Sequence, residues 1–231
     1  MSKVSAIIVA AGQGLRMKET EKKQYFTIAG LPVVVHTLRV FDTCKAIDEI
    51  VLVVPEKDLD FCHEEIIHPS CFGKEINLVA GGPKRQDSVY NGIQAVDADN
   101  GIIIIHDGVR PLVTADQLDA CISGARKYGA CILGLPVFDT LKRVNTAGTI
   151  EETLERDTIW LAQTPQAFRY HLILKAHQHA RQHGIRVTDD ASLLEQIGVE
   201  VKIIEGSRRN LKITNPDDLK LARILLKNDT L

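Results

Sequence analysis

The chain has 231 residues, 45% of them hydrophobic, which is enough to bury one sizeable core. Its 28 Lys and Arg residues and 30 Asp and Glu residues give a formal net charge of -2, which argues against nucleic acid or an anionic membrane as the main partner. Five cysteines without C-x-x-C spacing argue against a zinc knuckle or a disulfide framework. An apolar run begins directly after Lys3 and no run reaches membrane-spanning length, so we expect a cytoplasmic protein without a signal peptide.

Apolar runs typical of strands alternate with amphipathic segments typical of helices, which predicts an α/β fold with a mostly parallel, Rossmann-like sheet and helices on both faces. We expect a single domain over residues 1–231, without internal repeats or flexible linkers. The predicted elements are strand 6–9, helix 32–41, strand 47–54, helix 56–67, strand 76–80, helix 85–96, strand 101–105, helix 114–127, strand 130–135, helices 170–183 and 189–197, strand 199–204, and a last helix from 216.

Residues 137–160 depart from this alternation. They combine β-forming residues, many charges and the turn Asn145-Thr146-Ala147-Gly148 with too little apolar surface for a core of their own. This composition predicts a β-hairpin arm that projects from the domain. Its charges are solvated unless the arm crosses to a second copy of the chain, where it would help to close that copy's site. The polar residues on or beside the arm that such a role would use are Thr140, Lys142, Arg143, Arg156 and Thr164.

A glycine turn follows the first predicted strand. Gly12 and Gly14 allow positive φ and a close approach of backbone N–H groups to an anion, and Arg16 adds a permanent positive charge. A dinucleotide G-x-G-x-x-G fingerprint would need glycine where the chain has Met17. The motif alone therefore predicts a phosphate-binding loop but leaves a plain strand-to-helix turn with a solvated arginine as the alternative.

Glycines and cations also follow the other predicted strands. Ligands of an open parallel sheet bind at the carboxyl ends of the strands, so these residues are expected to meet at one edge. Lys22 and Lys23 would join them from the loop after the glycine turn, although surface lysines are common. An edge with glycines and cations suits a polyphosphate ligand, which favours phosphoryl or nucleotidyl transfer. The chain has neither the G-x-S-x-G motif of serine hydrolases nor the H-E-x-x-H motif of zinc proteases. The strand-end residues are Gly81, Gly82, Arg85, Ser88, His106, Asp107, Arg110, Gly206, Ser207, Arg208, Arg209 and Lys212.

Asp107 follows a run of four isoleucines and is expected at the tip of a central strand. A carboxylate there needs a cation, and Mg²⁺ is the natural one because it combines few protein carboxylates with substrate phosphates. The alternative is that Asp107 pairs with Arg110 or caps the next turn. Asp189 and Asp190 could add ligands, but the sequence does not place them. His106 is interpreted as a hydrogen-bonded part of the scaffold.

Several segments, in order along nearly the whole chain, resemble the sugar-phosphate cytidylyltransferases. The first half contributes AAGQGLRM (10–17), KQY (23–25), AGGPKRQDSV (80–89) and HDGVRP (106–111). The second half contributes PVFDTLKR (136–143), ER (155–156), QTPQAF (163–168), TDDAS (188–192) and NLKIT (210–214). The later segments are more similar to members that act on methylerythritol phosphate than to those that act on ribitol 5-phosphate. Val9 stands where the family often has proline.

The resemblance implies CTP and methylerythritol phosphate as substrates, a CDP-linked product and pyrophosphate, Mg²⁺ as cofactor, and a homodimer. It implies that Arg16 and Lys23 stabilise the transition state, and that Lys212 and Arg156, the latter from the second subunit, position the sugar phosphate. It further implies CTP contacts at Ala10, Ala11, Gly12, Gly14, Gly82, Arg85, Ser88 and Asp107, the metal at Asp107, and sugar-phosphate contacts at Asp107, Arg110, Thr140, Arg156, Thr164 and Lys212.

The chemistry of the residues agrees with that expectation. A phosphate monoester is already ionised at neutral pH, so it attacks the α-phosphorus without a general base, and the main barrier is repulsion between two polyanions. Three alternatives stay open at this point. They are a ribitol 5-phosphate cytidylyltransferase, a nicotinamide-dependent oxidoreductase on a Rossmann core, and a non-catalytic nucleotide-sensing dimer, for which Arg156 and Lys212 would have no use.

Overall fold

The computed structural model describes residues 2–12, 22–96 and 101–228. Short 3-10 helices at Lys23–Tyr25, Glu56–Asp58 and His68–Ser70 and a π-helix at Cys62–Ile67 connect the main elements. The strands and α-helices are β1 (Val4–Val9), β2 (Thr27–Ile28), β3 (Leu31–Pro32), α1 (Val33–Thr43), β4 (Glu49–Val54), α2 (Leu59–Phe61), β5 (Ile76–Ala80), α3 (Arg85–Gln94), β6 (Ile102–Asp107), α4 (Ala115–Tyr128), β7 (Ala130–Pro136), β8 (Leu141–Val144), β9 (Ile150–Leu154), β10 (Trp160–Arg169), α5 (Tyr170–His183), α6 (Ala191–Gln196), β11 (Lys202–Glu205) and α7 (Pro216–Asn228).

Within the described residues, seven strands form one sheet in the order β11-β7-β10-β6-β1-β4-β5. Strand β10 pairs antiparallel with β6 and β7, and the other pairings in this sheet are parallel. From β1 the chain first builds outward through β4 and β5, and then returns to place β6 on the other side of β1. The sheet therefore has a switch point between β1 and β6, where α/β proteins bind ligands at the carboxyl ends of the strands.

Alternating side chains of the central strands supply two cores, one on each face of the sheet. Val4, Ala6 and Ile8 of β1 pack on one face with α1 and α4, while Ile7 and Val9 pack on the other face with α3, α5 and α6. Strand β6 alternates in the same way. The continuous apolar runs of β1 and β6 follow from burial on both faces, and the predicted α/β sheet covered by helices is confirmed.

A third cluster of buried side chains attaches α7 to the main body. Leu219 and Ala222 of α7 pack with Phe26, Val33 and Ile213. This packing holds the segment between β11 and α7 close to the carboxyl ends of the central strands. None of the helices in the described part of the chain is both long and apolar enough to cross a membrane.

The sequence predicted most elements within a few residues but missed β10. This strand lies between β6 and β7, and its register shifts between Ala162 and Gln166. The pattern did not indicate a strand because Pro165 and neighbouring polar residues interrupt it. The predicted helix 56–67 is also wrong as a continuous α-helix, because short 3-10, α and π turns replace it. The predicted hairpin is present as β8 and β9, which pair with each other outside the main sheet.

Candidate active site

A cleft of about 840 Å³ opens at the carboxyl ends of β1, β4, β5 and β6, where the strand order switches. Six cationic and two acidic side chains are among the described residues that line it, an excess of positive charge that suits a polyanion. The described lining residues are Val9, Ala10, Ala11, Gly12, Lys22, Lys23, Gln24, Pro55, Glu56, Lys57, Gly81, Gly82, Pro83, Lys84, Arg85, Ser88, Asp107, Val109 and Lys212.

One wall of the cleft is the tight turn between β5 and α3. The Ser88 hydroxyl accepts a hydrogen bond from the Gly82 backbone N–H at 3.1 Å and donates one to the Lys84 carbonyl at 3.1 Å. A Cβ on Gly81 would lie 2.4 Å from the Ala11 Cβ, so this position requires glycine for a close approach to the first loop. The turn therefore fixes the β5–α3 connection directly against Ala11.

The centre of the cleft is Asp107, the last residue of β6, with a cluster of cations around it. Arg85 Nε donates to Asp107 Oδ1 at 3.1 Å, and Lys212 Nζ lies 2.8 Å from Oδ2. Arg110 Nε approaches the same Oδ2 at 3.5 Å, while its Nη1 donates to the Asn210 carbonyl at 2.7 Å. Residues from β6, α3 and the segment after β11 thus meet at one carboxylate.

These charges determine the ionisation of the cluster. Burial alone would raise the pKa of Asp107, but Arg85, Lys212 and Arg110 outweigh it and hold that pKa well below its usual range. Burial alone would lower the pKa of Arg85, but the Asp190 and Asp107 carboxylates more than offset it and raise that pKa above its usual value. Asp107 and Arg85 are therefore both charged at neutral pH, with 8% of the Asp107 side chain and 26% of the Arg85 side chain exposed.

Behind Asp107, His106 and Thr164 hold the end of β6 in place. The Asp107 backbone N–H donates to Thr164 Oγ1 at 3.1 Å, and that hydroxyl lies 3.1 Å from His106 Nδ1. His106 Nε2 lies 3.2 Å from the Arg110 carbonyl, and burial lowers the pKa of His106 to about 3. A neutral imidazole with hydrogen on Nε2 satisfies both contacts. These contacts support the interpretation of His106 as part of the scaffold.

On the opposite side of the cleft, side-chain contacts anchor the segment after the first loop. Lys22 Nζ pairs with Asp58, and Tyr25 Oη donates to the same carboxylate at 2.9 Å. Burial and the neighbouring Cys62 raise the pKa of Tyr25, so its hydroxyl stays protonated as a donor. These anchors on both sides of Lys23 hold its backbone at the cleft wall.

Comparisons with known proteins identify the family. A family model described as IspD, 2-C-methyl-D-erythritol 4-phosphate cytidylyltransferase, matches residues 4–228. The chain belongs to this family. Enzymes with that name from Pelotomaculum thermopropionicum and Syntrophus aciditrophicus are 44% and 48% identical to it over 98% of the chain and over 95% and 97% of their own lengths.

Solved structures of this cytidylyltransferase family agree with the fold. The crystal structure of 4-diphosphocytidyl-2C-methyl-D-erythritol synthase from Anaerococcus prevotii has a TM-score of 0.85 and 33% identity, with 98% of this chain and 96% of that chain covered. The Francisella tularensis enzyme has a TM-score of 0.83 and 31% identity, with 96% and 99% covered. The predicted nucleotidyltransferase class is confirmed, and these relatives favour neither the ribitol phosphate nor the nicotinamide alternative.

The structure brings many residues predicted from the cytidylyltransferase resemblance to this one cleft. Arg110 and Thr164 lie next to Asp107, with their polar groups turned to other residues of the protein, so their contacts to a substrate stay predictions. Gly14 and Arg16 lie outside the described residues. Gly12 does not use the positive φ that the sequence analysis considered, and a Cβ there would meet nothing within 4 Å, so neither backbone conformation nor a close contact requires glycine at this position. The predicted residues that line the cleft are Ala10, Ala11, Gly12, Lys23, Gly82, Arg85, Ser88, Asp107 and Lys212.

Thr140 and Arg156 are not among the described residues that line this cleft. Both belong to the arm, where Arg156 Nη1 donates to the Phe138 carbonyl and Arg208 stacks on the Phe138 ring with its guanidinium carbon 4.5 Å from the centroid. Arg143 pairs with Glu152 across the hairpin, and Lys142 donates to Thr153 at 2.5 Å. Within the described residues of the single chain, these arm residues do not line the cleft, so their contact with a substrate stays a prediction.

The acidic residues of the chain fit a Mg²⁺ ion that binds together with a phosphate ligand. Within the described residues, no group of three or more His, Cys, Asp or Glu side chains is placed to hold a metal ion. Asp189 accepts hydrogen bonds from Gln166 at 2.9 Å and Ser192 at 2.5 Å, and Asp190 pairs with Arg85, so both carboxylates are engaged away from the cleft. The carboxylates among the described lining residues are Glu56 and Asp107, and Asp107 at the end of β6 fits a cation that takes its other ligands from phosphates and water.

Several lining residues were missed by the sequence analysis. Glu56 and Lys57 follow β4, and Lys84 lies in the turn after β5. Ligands of an open parallel sheet bind at the carboxyl ends of its strands, and Pro55-Glu56-Lys57 directly follow the predicted strand 47–54. Glu56 and Lys57 could therefore have been predicted from the sequence. The pairing of Arg85 with Asp190 carried no sequence signal, because 105 positions separate the two residues.

Proposed function

We propose that this chain transfers CMP from CTP to 2-C-methyl-D-erythritol 4-phosphate. A phosphate oxygen of the sugar attacks the α-phosphorus of CTP, a new P–O bond forms, and the bond to the β-phosphate breaks to release pyrophosphate. The observation that carries the proposal is the cationic cleft built around Asp107 in a chain of this family.

Different cations are proposed to bind the phosphates of the two substrates. Lys23 and Arg16 are proposed to stabilise the charge on the α-phosphate and the leaving pyrophosphate, and Lys212 to hold the sugar phosphate in line for attack. Because the described cations Lys23 and Lys212 line the cleft from separate parts of the chain, preorganised contacts replace the solvent that would otherwise screen two polyanions. The backbone of Ala10, Ala11 and Gly82, shaped by the Ser88 turn, is proposed to bind the cytidine part.

Mg²⁺ is proposed as the cofactor, held by Asp107 together with the phosphates of CTP. When bound, the ion would neutralise phosphate charge and withdraw electrons from the reacting phosphorus. Both oxygens of Asp107 already accept from cationic side chains, so Asp107 by itself offers a weak site, and the phosphates of CTP would have to supply further ligands. We therefore expect Mg²⁺ binding to depend on CTP. Isothermal titration with MgCl₂, with and without a non-hydrolysable CTP analogue, measures this dependence.

Turnover with matched substrates tests the function. We expect pyrophosphate release from CTP with 2-C-methyl-D-erythritol 4-phosphate to exceed that with ribitol 5-phosphate by at least 100-fold in kcat/KM, since a site built for one polyol leaves its polar groups unpaired with the other. Replacing CTP by ATP or UTP controls for the nucleotide, and the product is identified by mass. Equal or faster turnover of ribitol 5-phosphate, or absence of CMP transfer, would overturn the proposal.

We also propose that the chain is a homodimer in which each arm completes the neighbouring cleft. Exposed apolar side chains cluster on and beside the arm, among them Phe138, Val144, Ile150 and Leu161. Solvated apolar patches of this kind are typical of interaction surfaces. The arm of one subunit would carry Thr140 and Arg156 to the cleft of the other. Cytoplasmic localisation stays a prediction from the composition.

A substitution in the arm should break the dimer. Ile150→Asp places a charge in the proposed interface, and we expect a monomer by light scattering at micromolar concentration, together with loss of turnover. Ile224→Asp on α7 is the matched control, because Ile150 and Ile224 are both 59% exposed. A dimeric and active Ile150→Asp variant, or a monomeric wild type, would contradict the proposed arrangement.

Mixing two inactive variants tests whether the arm acts in the neighbouring site. Arg156→Ala and Lys212→Ala damage the same composite site from different subunits if the arm crosses over. After co-refolding in equal amounts, half of the dimers are mixed and one of their two sites is intact, so about a quarter of the wild-type activity should return. No recovery in the mixture would show that Arg156 acts within its own chain or not at all.

A further inference from the structure

A second buried carboxylate lies behind the cleft cations. Asp190, just before α6, is 1% exposed and is not among the described residues that line the cleft. Its Oδ2 accepts from Arg85 Nη1 at 2.7 Å, while Arg85 Nε donates to Asp107 at 3.1 Å. One guanidinium thus bridges a carboxylate at the reaction site and a carboxylate in the core.

We propose that Asp190 is a positioning residue, which holds Arg85 so that Asp107 keeps the charge and the orientation that CTP binding requires. The inference rests on the proposed function, because it assigns Asp190 a part in the same cleft. It adds a residue that does not touch the substrates and acts through Arg85.

The geometry of the guanidinium supports this role. Arginine presents its N–H groups in a planar fork that can grip one carboxylate with two parallel bonds. In this chain the fork is divided, with one edge on Asp190 and the Nε edge on Asp107. Without the Asp190 charge, Arg85 is free to turn both Nε and an Nη group to Asp107. A bidentate Arg85–Asp107 pair would engage both oxygens of Asp107 and make this carboxylate less available to CTP.

The surroundings of Asp190 make Arg85 its main charge partner. His177 Nε2 lies 3.4 Å from Oδ1, and both ring nitrogens of this buried histidine lack a hydrogen bond within the described residues. Burial would raise the pKa of Asp190, but Arg85 and then His177 lower it below its usual value. A buried ion pair contributes little net stability because desolvation offsets the attraction, so stability alone is a weak reason for this carboxylate.

The backbone around Asp190 is held independently of its side chain. Gln166 Oε1 accepts from the backbone N–H groups of Asp190 at 3.1 Å and of Ala191 at 3.2 Å. Ser192 N–H donates to Asp189 at 3.2 Å in the same turn. These bonds do not involve the Asp190 carboxylate, so Asp190→Asn should keep the turn and the start of α6.

Steady-state kinetics of Asp190→Asn tests the inference. We expect kcat/KM for CTP to fall at least tenfold, in the range of about 10- to 100-fold that misplacement of a supporting group produces. Asp189→Asn is the matched control, since Asp189 is its sequence neighbour, and its contacts run to Gln166 and Ser192. Asp190→Ser is measured in parallel in case Asp190→Asn does not fold. Its smaller side chain leaves room for water to hydrogen-bond to Arg85.

A double-mutant cycle separates positioning from general structural support. In an Arg85→Lys background, where no fork can bridge the two carboxylates, Asp190→Asn should lower kcat/KM by less than threefold. A further loss of threefold or more there would overturn the inference, as would a loss of less than tenfold in the wild-type background. Absence of CMP transfer by the wild type would instead refute the proposed function, so the two failures are distinguishable.

Discussion

Asp107→Asn should lower kcat/KM for CTP on the order of 1000-fold while the protein remains folded at pH 7. Arg85, Arg110 and Lys212 all direct donors at this carboxylate, and asparagine keeps its shape but loses its charge. The cations would then be free to bind phosphate in unproductive orientations, and the proposed Mg²⁺ ligand would be lost. A loss of this size is typical when a preorganised charge is removed from a reaction centre.

The same substitution should make stability depend less on pH. The pKa of Asp107 is lower in the folded chain than in the unfolded chain, so the carboxylate stabilises the fold above the unfolded value of about 4. That contribution is lost as the pH falls through the folded pKa. We expect Asp107→Asn to lower the free energy of unfolding by about 3 kcal/mol at pH 7, because it leaves cations unpaired. The difference from wild type should shrink as the pH drops below about 4.

Urea unfolding from pH 7 to pH 2.5 and initial rates at pH 7 measure the two effects separately. Asp60→Asn is the control, since Asp60 is exposed and lies outside the described lining of the cleft. An Asp107→Asn variant that turns over CTP within tenfold of wild type would refute a central role for this carboxylate. If the difference in free energy of unfolding between wild type and Asp107→Asn stays constant with pH, the charge of Asp107 does not stabilise the folded chain through the neighbouring cations.

The sequence predicted the parts of the site that follow from local pattern. Strand β6 could be recognised because four consecutive isoleucines indicate burial on both faces, and His106 and Asp107 follow that run. The glycine and cation positions after β1 and β5 followed from the rule for strand ends, and the structure brings Gly12, Gly82 and Arg85 to one cleft. Local pattern was sufficient for these residues because each lies within a few positions of a strand.

The rest depended on contacts between distant parts of the chain. Strand β10 has little apolar alternation of its own, and it is a strand because β6 and β7 offer hydrogen-bonding edges on both sides. Thr164 was predicted to contact substrate, yet its hydroxyl accepts from the Asp107 backbone, which shows how a polar residue near a site can act through a neighbour. The link from Arg85 to Asp190 likewise exists only after α3 and α6 are packed.

Lys212→Ala should raise KM for the sugar phosphate and reduce kcat/KM for that substrate about 100-fold. Lys212 Nζ lies 2.8 Å from Asp107 Oδ2, and one third of its side chain is exposed at the cleft. Its backbone is held in place, since Ile213 N–H donates to the Val109 carbonyl at 2.9 Å and Asn210 Nδ2 donates to the Thr164 carbonyl at 2.8 Å. A fixed cation at the mouth of the cleft suits the phosphate that must be positioned for attack.

The changes in KM for CTP and for the sugar phosphate distinguish two roles for Lys212. If it only neutralises Asp107, its loss should change KM for CTP at least as much as KM for the sugar phosphate, because the proposed function gives Asp107 to the metal and the phosphates of CTP. If it positions the nucleophile, KM for the sugar phosphate should rise at least tenfold more than KM for CTP, and Lys212→Arg should restore part of the activity.

Lys220→Ala on α7 is the control, since this exposed lysine pairs with Asp217 at 2.9 Å. The free energy of unfolding should change by less than about 1 kcal/mol in both alanine variants, because partly exposed ion pairs contribute little. Equal changes in the two KM values would therefore remove Lys212 from the sugar phosphate and assign it to the Asp107 cluster alone.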